Sequence, residues 1–180
     1  MPYKVTFWGT RGSIPTPGPH TTRYGGNTAC VAVTGAPDQL VILDAGSGIR
    51  PLGRTLMEAS SMPMSLDILL SHTHWDHIQG LPFFQPLNTK GNSVRIFGAP
   101  QSGIPLEEIL DRQMDPVVFP VPLKALAADL SITEVNGGFV LYNDGTIAMQ
   151  MSIGEVALTG ITGFTFSVED FFLKLNNTGG

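Results

Sequence analysis

The feature that most constrains this chain is a seven-residue run, Ser71 to His77, reading S-H-T-H-W-D-H and set directly after the apolar stretch Leu66 to Leu70. An apolar run of strand length predicts a strand covered on both faces, and this one delivers a polar loop at its end. Within His72 to His77 the loop carries three of the chain's four histidines together with Asp76. Imidazole and carboxylate are the side chains that bind zinc and similar divalent ions without sulfur, and a loop leaving a strand can aim several of them at one place. Whatever fold this chain adopts must hold that loop steady.

The flanking sequence predicts a suitable frame. Lys4 to Trp8, Thr28 to Thr34 and Gln39 to Leu43 are short runs rich in β-branched or apolar residues, separated by glycine-rich turns, and they read as strands. Ile49 to Ala59 has apolar residues at Ile49, Leu52, Leu56 and Met57, a helical spacing, with Pro51 placed where only the first turn tolerates it. Ser93 to Phe97 reads as a strand, and Pro105 to Met114 as a helix with acidic residues in its first turn. This β/α alternation predicts the α/β class in one domain over 1–180. Beyond Asp129 the pattern changes to strands at Leu130 to Val135, Phe139 to Tyr142 and Thr146 to Met151, the last two joined by Asn143-Asp144-Gly145, a hairpin signal.

Composition narrows the function classes. Charged residues are 14% and apolar ones 42%, which excludes a disordered chain. A net charge of −5 argues against a protein held to nucleic acid by its overall field. No apolar stretch approaches the ~20 residues of a membrane span, and the start MPYKVTFWGTRGS has no signal-like apolar region; the expected location is the cytoplasm. The single cysteine, Cys30, excludes an intrachain disulfide and a cysteine-built zinc site, and inside an apolar run it reads as a small buried hydrophobe.

The spacing of the motif suggests two ions rather than one. His72 and His74 alternate toward one side, while Asp76 and His77 fall on the next turn and face a neighbouring ion. Two ions ~3.5 to 4 Å apart can hold a bridging water and stabilise charge on a phosphoryl or acyl group under attack. No serine or cysteine has a convincing base beside it, so a covalent route has no visible support. The loop Gly9 to Gly26, with Arg11 and Arg23, reads either as a long surface turn shaped by Gly12, Pro15, Pro17, Gly18 and Pro19 or as a loop that presents backbone N–H groups to an anionic phosphate, in which case Arg11, Ser13 and Asn27 are the candidate substrate contacts.

H-T-H-W-D-H resembles the H-x-H-x-D-H signature of the metallo-β-lactamase superfamily. F-W-G-T-R-G-S-I-P-T-P-G (Phe7 to Gly18), R-Y-G-G-N-T (Arg23 to Thr28), I-L-D-A-G-S-G-I-R (Ile42 to Arg50) and G-L-P-F-F (Gly80 to Phe84) are similar to its phosphodiesterase branch, which includes ribonuclease Z-like enzymes and cyclic-phosphate phosphodiesterases. The resemblance spans roughly residues 3 to 135. It implies an αββα sandwich, His72 and His74 as ligands of a first metal, Asp76 and His77 as ligands of a second, and Asp76 as the group that orients the attacking water. It also implies Asp44 as the aspartate that hydrogen-bonds the metal-bearing loop from behind. The ions implied are two, zinc above all, with manganese or iron as substitutes.

The superfamily pattern goes on to further histidines and a bridging aspartate, yet no histidine follows His77, and residues 154–180 resemble nothing in the family. An incomplete C-terminal half of the sandwich is therefore expected, with a sheet edge or face uncovered and association between copies as its consequence. The function implied is hydrolysis of a small phosphate ester by metal-bridged hydroxide. The alternatives are thioester or acyl hydrolysis on the same fold, and a non-catalytic metal-binding remnant.

Overall fold

The computed structural model describes residues 4–35, 40–59, 63–141 and 147–152, with main chain alone for 136–141 and 147–152. The chain divides between Thr133 and Glu134 into two units. The first is built on a six-stranded mixed sheet, β1 (Lys4–Gly9), β2 (Cys30–Thr34), β3 (Leu40–Leu43), β4 (Ser65–Leu69), β5 (Ser93–Gly98) and β6 (Asp129–Glu134), in spatial order β1-β2-β3-β4-β5-β6. β1, β2 and β3 pair antiparallel, and β3, β4 and β5 pair parallel. Parallel neighbours need a crossover, and α1 (Ile49–Ala59) supplies it between β3 and β4. Between β4 and β5 the chain makes one helical turn, α2 (Trp75–Ile78), and two 3-10 turns at Leu81–Phe83 and Gln85–Asn88. α3 (Leu106–Gln113) follows β5.

The predicted strands and helices through Glu134 are present to within two residues at most ends, and the α/β class is observed. In the second unit β7 (Asn136–Leu141) and β8 (Ile147–Ser152) pair antiparallel. The Asn143-Asp144-Gly145 turn expected between them lies outside the described residues, as does 154–180.

The core forms on one face of the large sheet. Ile42, Ile68 and Ile96 stand opposite one another across β3, β4 and β5, each fully buried. Ile49 and Leu52 of α1, Leu106 and Leu110 of α3, and Phe84 and Leu87 complete the cluster. Cross-strand apolar pairing of this kind fixes the register, since a one-residue slip would turn every isoleucine to the other face.

Among the described residues the opposite face is open, which corrects the expectation that Leu66 to Leu70 is covered on both sides. Leu66 and Ile68 are buried, but Leu69 is 41% exposed and Asp67 lies on the same side, paired to Arg95 at 2.6 and 2.8 Å. Phe7, Val31, Leu43 and Leu69 follow one another across four strands on this face, and Phe7 is 67% exposed. The charge in the middle of the run is the signal that one face stays accessible. Among the described residues no helix is long and apolar enough to cross a membrane.

Candidate metal centre

β1, β3, β4 and β5 all run in one direction, so their carboxyl ends share one edge of the sheet. That edge is where open α/β sheets place ligands, because loops leaving adjacent strands converge there. The loop 10–28 leaves β1, Asp44 follows β3, the motif Ser71–His77 follows β4, and Gln101 follows β5. Four segments distant in sequence thereby meet around the histidines.

The motif is held from behind by Asp44. Its backbone N–H donates to Leu69 O at 2.9 Å, and its φ of 61° turns the side chain back under the loop. Aspartate tolerates this left-handed conformation better than most residues. Oδ1 accepts the Ser71 N–H at 2.8 Å and lies 2.9 Å from Ser71 Oγ, while Oδ2 accepts His77 Nδ1 at 2.9 Å. A carboxylate can only accept here, so Nδ1 of His77 carries a proton and Nε2 is the nitrogen turned toward Asp76 and the site.

The main chain repeats the connection. Ala45 N–H donates to His77 O at 2.7 Å and Gly80 N–H to Ala45 O at 2.9 Å. The segments touch so closely that a Cβ at Gly46 would lie 2.2 Å from Asp76 O, and one at Gly80 2.1 Å from Gly46 O. Only glycine permits that approach. Thr28, fully buried, accepts from Ser47 N–H at 2.8 Å and from Gln79 Nε2 at 3.1 Å, tying the segment that leads into β2 to the same turn.

The histidine rings form one cluster rather than two separate pairs. The ring of His72 lies 4.4 Å from that of His74 and 4.1 Å from that of His77, centroid to centroid. Asp76 Oδ2 is 3.5 Å from His77 Nε2. Burial, and then the His77 and His74 rings, push the His72 pKa below its ordinary 6.5, against the opposing pull of Asp44 and Asp76. Burial acts to raise the Asp76 carboxyl, but the Ser13 N–H and the His77 ring outweigh it and hold it below the usual carboxylate value. Both groups are thus in their ligating protonation states near neutral pH.

The donor set fits a divalent ion in kind, being three imidazoles and a carboxylate with His77 aimed by a carboxylate partner. It does not close a coordination shell, because among the described residues no group of three or more His, Cys, Asp or Glu is arranged to hold an ion. The two-ion site expected from the motif is represented here by its donors.

The three expected substrate contacts have partners within the protein. Ser13, at φ 65°, donates its N–H to Asp76 Oδ2 at 2.8 Å. Arg11 Nε donates to Gly25 O at 3.1 Å, and Asn27 Oδ1 accepts from Ser47 Oγ at 3.1 Å. The glycine-rich loop therefore reaches the motif. Gln101, absent from the sequence reading, accepts both donors of Thr73 through Oε1, at 2.9 Å from the N–H and 2.5 Å from the hydroxyl. Phe84 is core, whereas Phe83 stands 53% exposed with the ring of Phe119 edge-on to it at 5.5 Å.

No known family's profile matches the chain, and no curated protein matches it. Among solved structures, the chain is similar to zinc-bound PqqB from Methylobacterium extorquens, with a TM-score of 0.49 and 15% identity over 84% of this chain and 59% of that one. It is also similar to a diphosphatase from the PhnP family, with a TM-score of 0.47 and 19% identity over 85% of this chain and 63% of that one. The chain spans about six-tenths of the length of each.

Proposed function

We propose that this chain is a metal-dependent hydrolase of the metallo-β-lactamase type, acting on a small phosphodiester. One observation carries the reading: His77 Nδ1 bound to Asp44 Oδ2 at 2.9 Å, within a three-ring histidine cluster at the carboxyl ends of the parallel strands of a mixed sheet. A carboxylate behind a histidine fixes the tautomer and raises the basicity of the free nitrogen, the usual second partner of a metal ligand. His72, His74, Asp76 and His77 would hold zinc, or manganese or iron in its place. When bound, the metal lowers the pKa of a water toward neutrality and stabilises charge on the phosphoryl group.

The protein's own residues do the rest. Asp44 retains the proton on Nδ1 and keeps the His77 ring from turning. Ser13 N–H fixes the Asp76 carboxylate, whose task is to orient the attacking water. His74 and Trp75 are exposed, Trp75 by 72%, so the cluster is open to a substrate from solvent. The loop 10–28 reaches the motif through the Ser13 contact, and the choice of a phosphodiester over a thioester rests on the resemblance carried by Phe7 to Gly18.

The test is zinc-loaded protein with a chromogenic phosphodiester beside a thioester of similar size. Turnover of the phosphodiester, abolished in Asp76→Ala and His74→Ala while the fold remains, is expected. Equal turnover in wild type and both variants contradicts the mechanism, and preference for the thioester contradicts the substrate.

A further inference from the structure

Thr73 is the one residue between His72 and His74, so the direction of its main chain decides where both rings stand. Its N–H and its hydroxyl both donate to a single atom, Gln101 Oε1. That oxygen has two lone pairs, and both are used. Gln101 itself is on a rigid base. Its N–H donates to Ile104 O at 3.1 Å and its carbonyl accepts the Ile104 N–H at 3.0 Å. Between them Ser102 and Gly103 both have left-handed φ, 53° and 75°. This is the two-residue turn that most tightly closes a chain reversal. The turn is anchored where Leu70 N–H meets Phe97 O at 2.7 Å, joining the ends of β4 and β5.

From this geometry we infer that Gln101 is a positioning residue for the His72–His74 pair, setting its metal affinity without touching the metal; the inference rests on the metal-hydrolase reading above. Asp44 secures Ser71 and His77, and Ser13 secures Asp76. Among the described residues, the middle of the motif is tied to another segment by side chain only through Gln101. Without that acceptor the half-buried Thr73 N–H loses its partner, the segment gains alternative conformations, and the donors pay an ordering cost on binding. Outer partners of metal ligands change affinity by about 10- to 100-fold when removed.

The experiment compares zinc affinity, by competition with a chromophoric chelator, in wild type, Gln101→Met, Gln101→Glu and Thr73→Val. Gln101→Met keeps the shape and loses the acceptor, and affinity should fall about tenfold or more. Gln101→Glu keeps Oε1 and should stay within about threefold of wild type, while Thr73→Val loses one arm and should fall between. In the metal-free proteins, Thr73 amide exchange should quicken and the nuclear Overhauser contact between the His72 and His74 rings should vanish in Gln101→Met. Wild-type zinc affinity in Gln101→Met, with a faster Thr73 amide, overturns the inference. Should wild type bind no zinc, the metal reading fails separately, and the ring contact decides: its loss in Gln101→Met supports the positioning role and its persistence overturns it. Should Gln101→Met not fold, Thr73→Val carries the same decision.

Discussion

Asp44→Asn is the substitution with the most to say about the site. Asparagine keeps the size of aspartate and tolerates the φ of 61°. Its carbonyl can take over the Ser71 N–H, now accepted at 2.8 Å. What it cannot do is accept at both oxygens, so its NH₂ turns toward His77 Nδ1, where Oδ2 now stands at 2.9 Å. The proton of His77 must then move to Nε2, which removes the lone pair offered to a metal. In stability the change exchanges one charge-assisted bond for a neutral one, a cost of roughly 1 to 2 kcal/mol. In zinc affinity the cost should be about 10- to 100-fold, measured by chelator competition, with the His77 tautomer read from its ¹⁵N shifts. A variant that binds zinc as wild type does, with Nδ1 still protonated, would refute the reasoning that Asp44 sets the ligand nitrogen.

Three further outcomes are expected. Ile68→Ala, in the buried isoleucine row, should cost about 2 to 5 kcal/mol in urea unfolding, whereas Phe7→Ser on the open face should cost under about 1 kcal/mol; similar losses would mean that the face is covered. Cys30, fully buried, has its thiol pushed up to about 12 by burial and by Asp44. It should resist alkylation at pH 8 until the protein unfolds, and the stability it contributes, complete below the unfolded value near 9.0, should drain away as pH rises toward 12. His72 has the opposite sign. Its pKa is lowered from 6.5 in the folded state, so its share of stability is complete above 6.5 and is lost as pH falls below it, where the unfolded chain takes the proton first. Flat urea midpoints from pH 7 down to 5 would contradict that.

Much of the frame was legible in the sequence because its signals are local. Alternating or continuous apolar runs, an acidic first turn at Glu107 and Glu108, and Pro51 in the first turn of α1 each report on a few neighbouring residues. The motif stands out for the same reason, as a polar loop at the end of an apolar strand, whereas the role of Asp44 is implied only by the family resemblance. What escaped depends on strand order. Gln101 meets Thr73 across 28 residues and Ser13 meets Asp76 across 63, contacts that exist because β1, β4 and β5 end on one edge. The loop of Ser13 has the composition of an anion-binding turn, which gives no sign that the Ser13 N–H donates to Asp76. In the apolar run Leu66 to Leu70 the single charge of Asp67 marks the open face, and its partner Arg95 lies on β5.

The central claim is that His72, His74, Asp76 and His77 hold a catalytic metal. Its most direct test is the metal content of the folded chain, by elemental analysis after purification and zinc loading without chelators, for wild type beside His74→Ala. Stoichiometric zinc in wild type, lost in the variant with the fold intact, is the predicted result. Wild type without bound metal, or zinc retained equally by the variant, would contradict it.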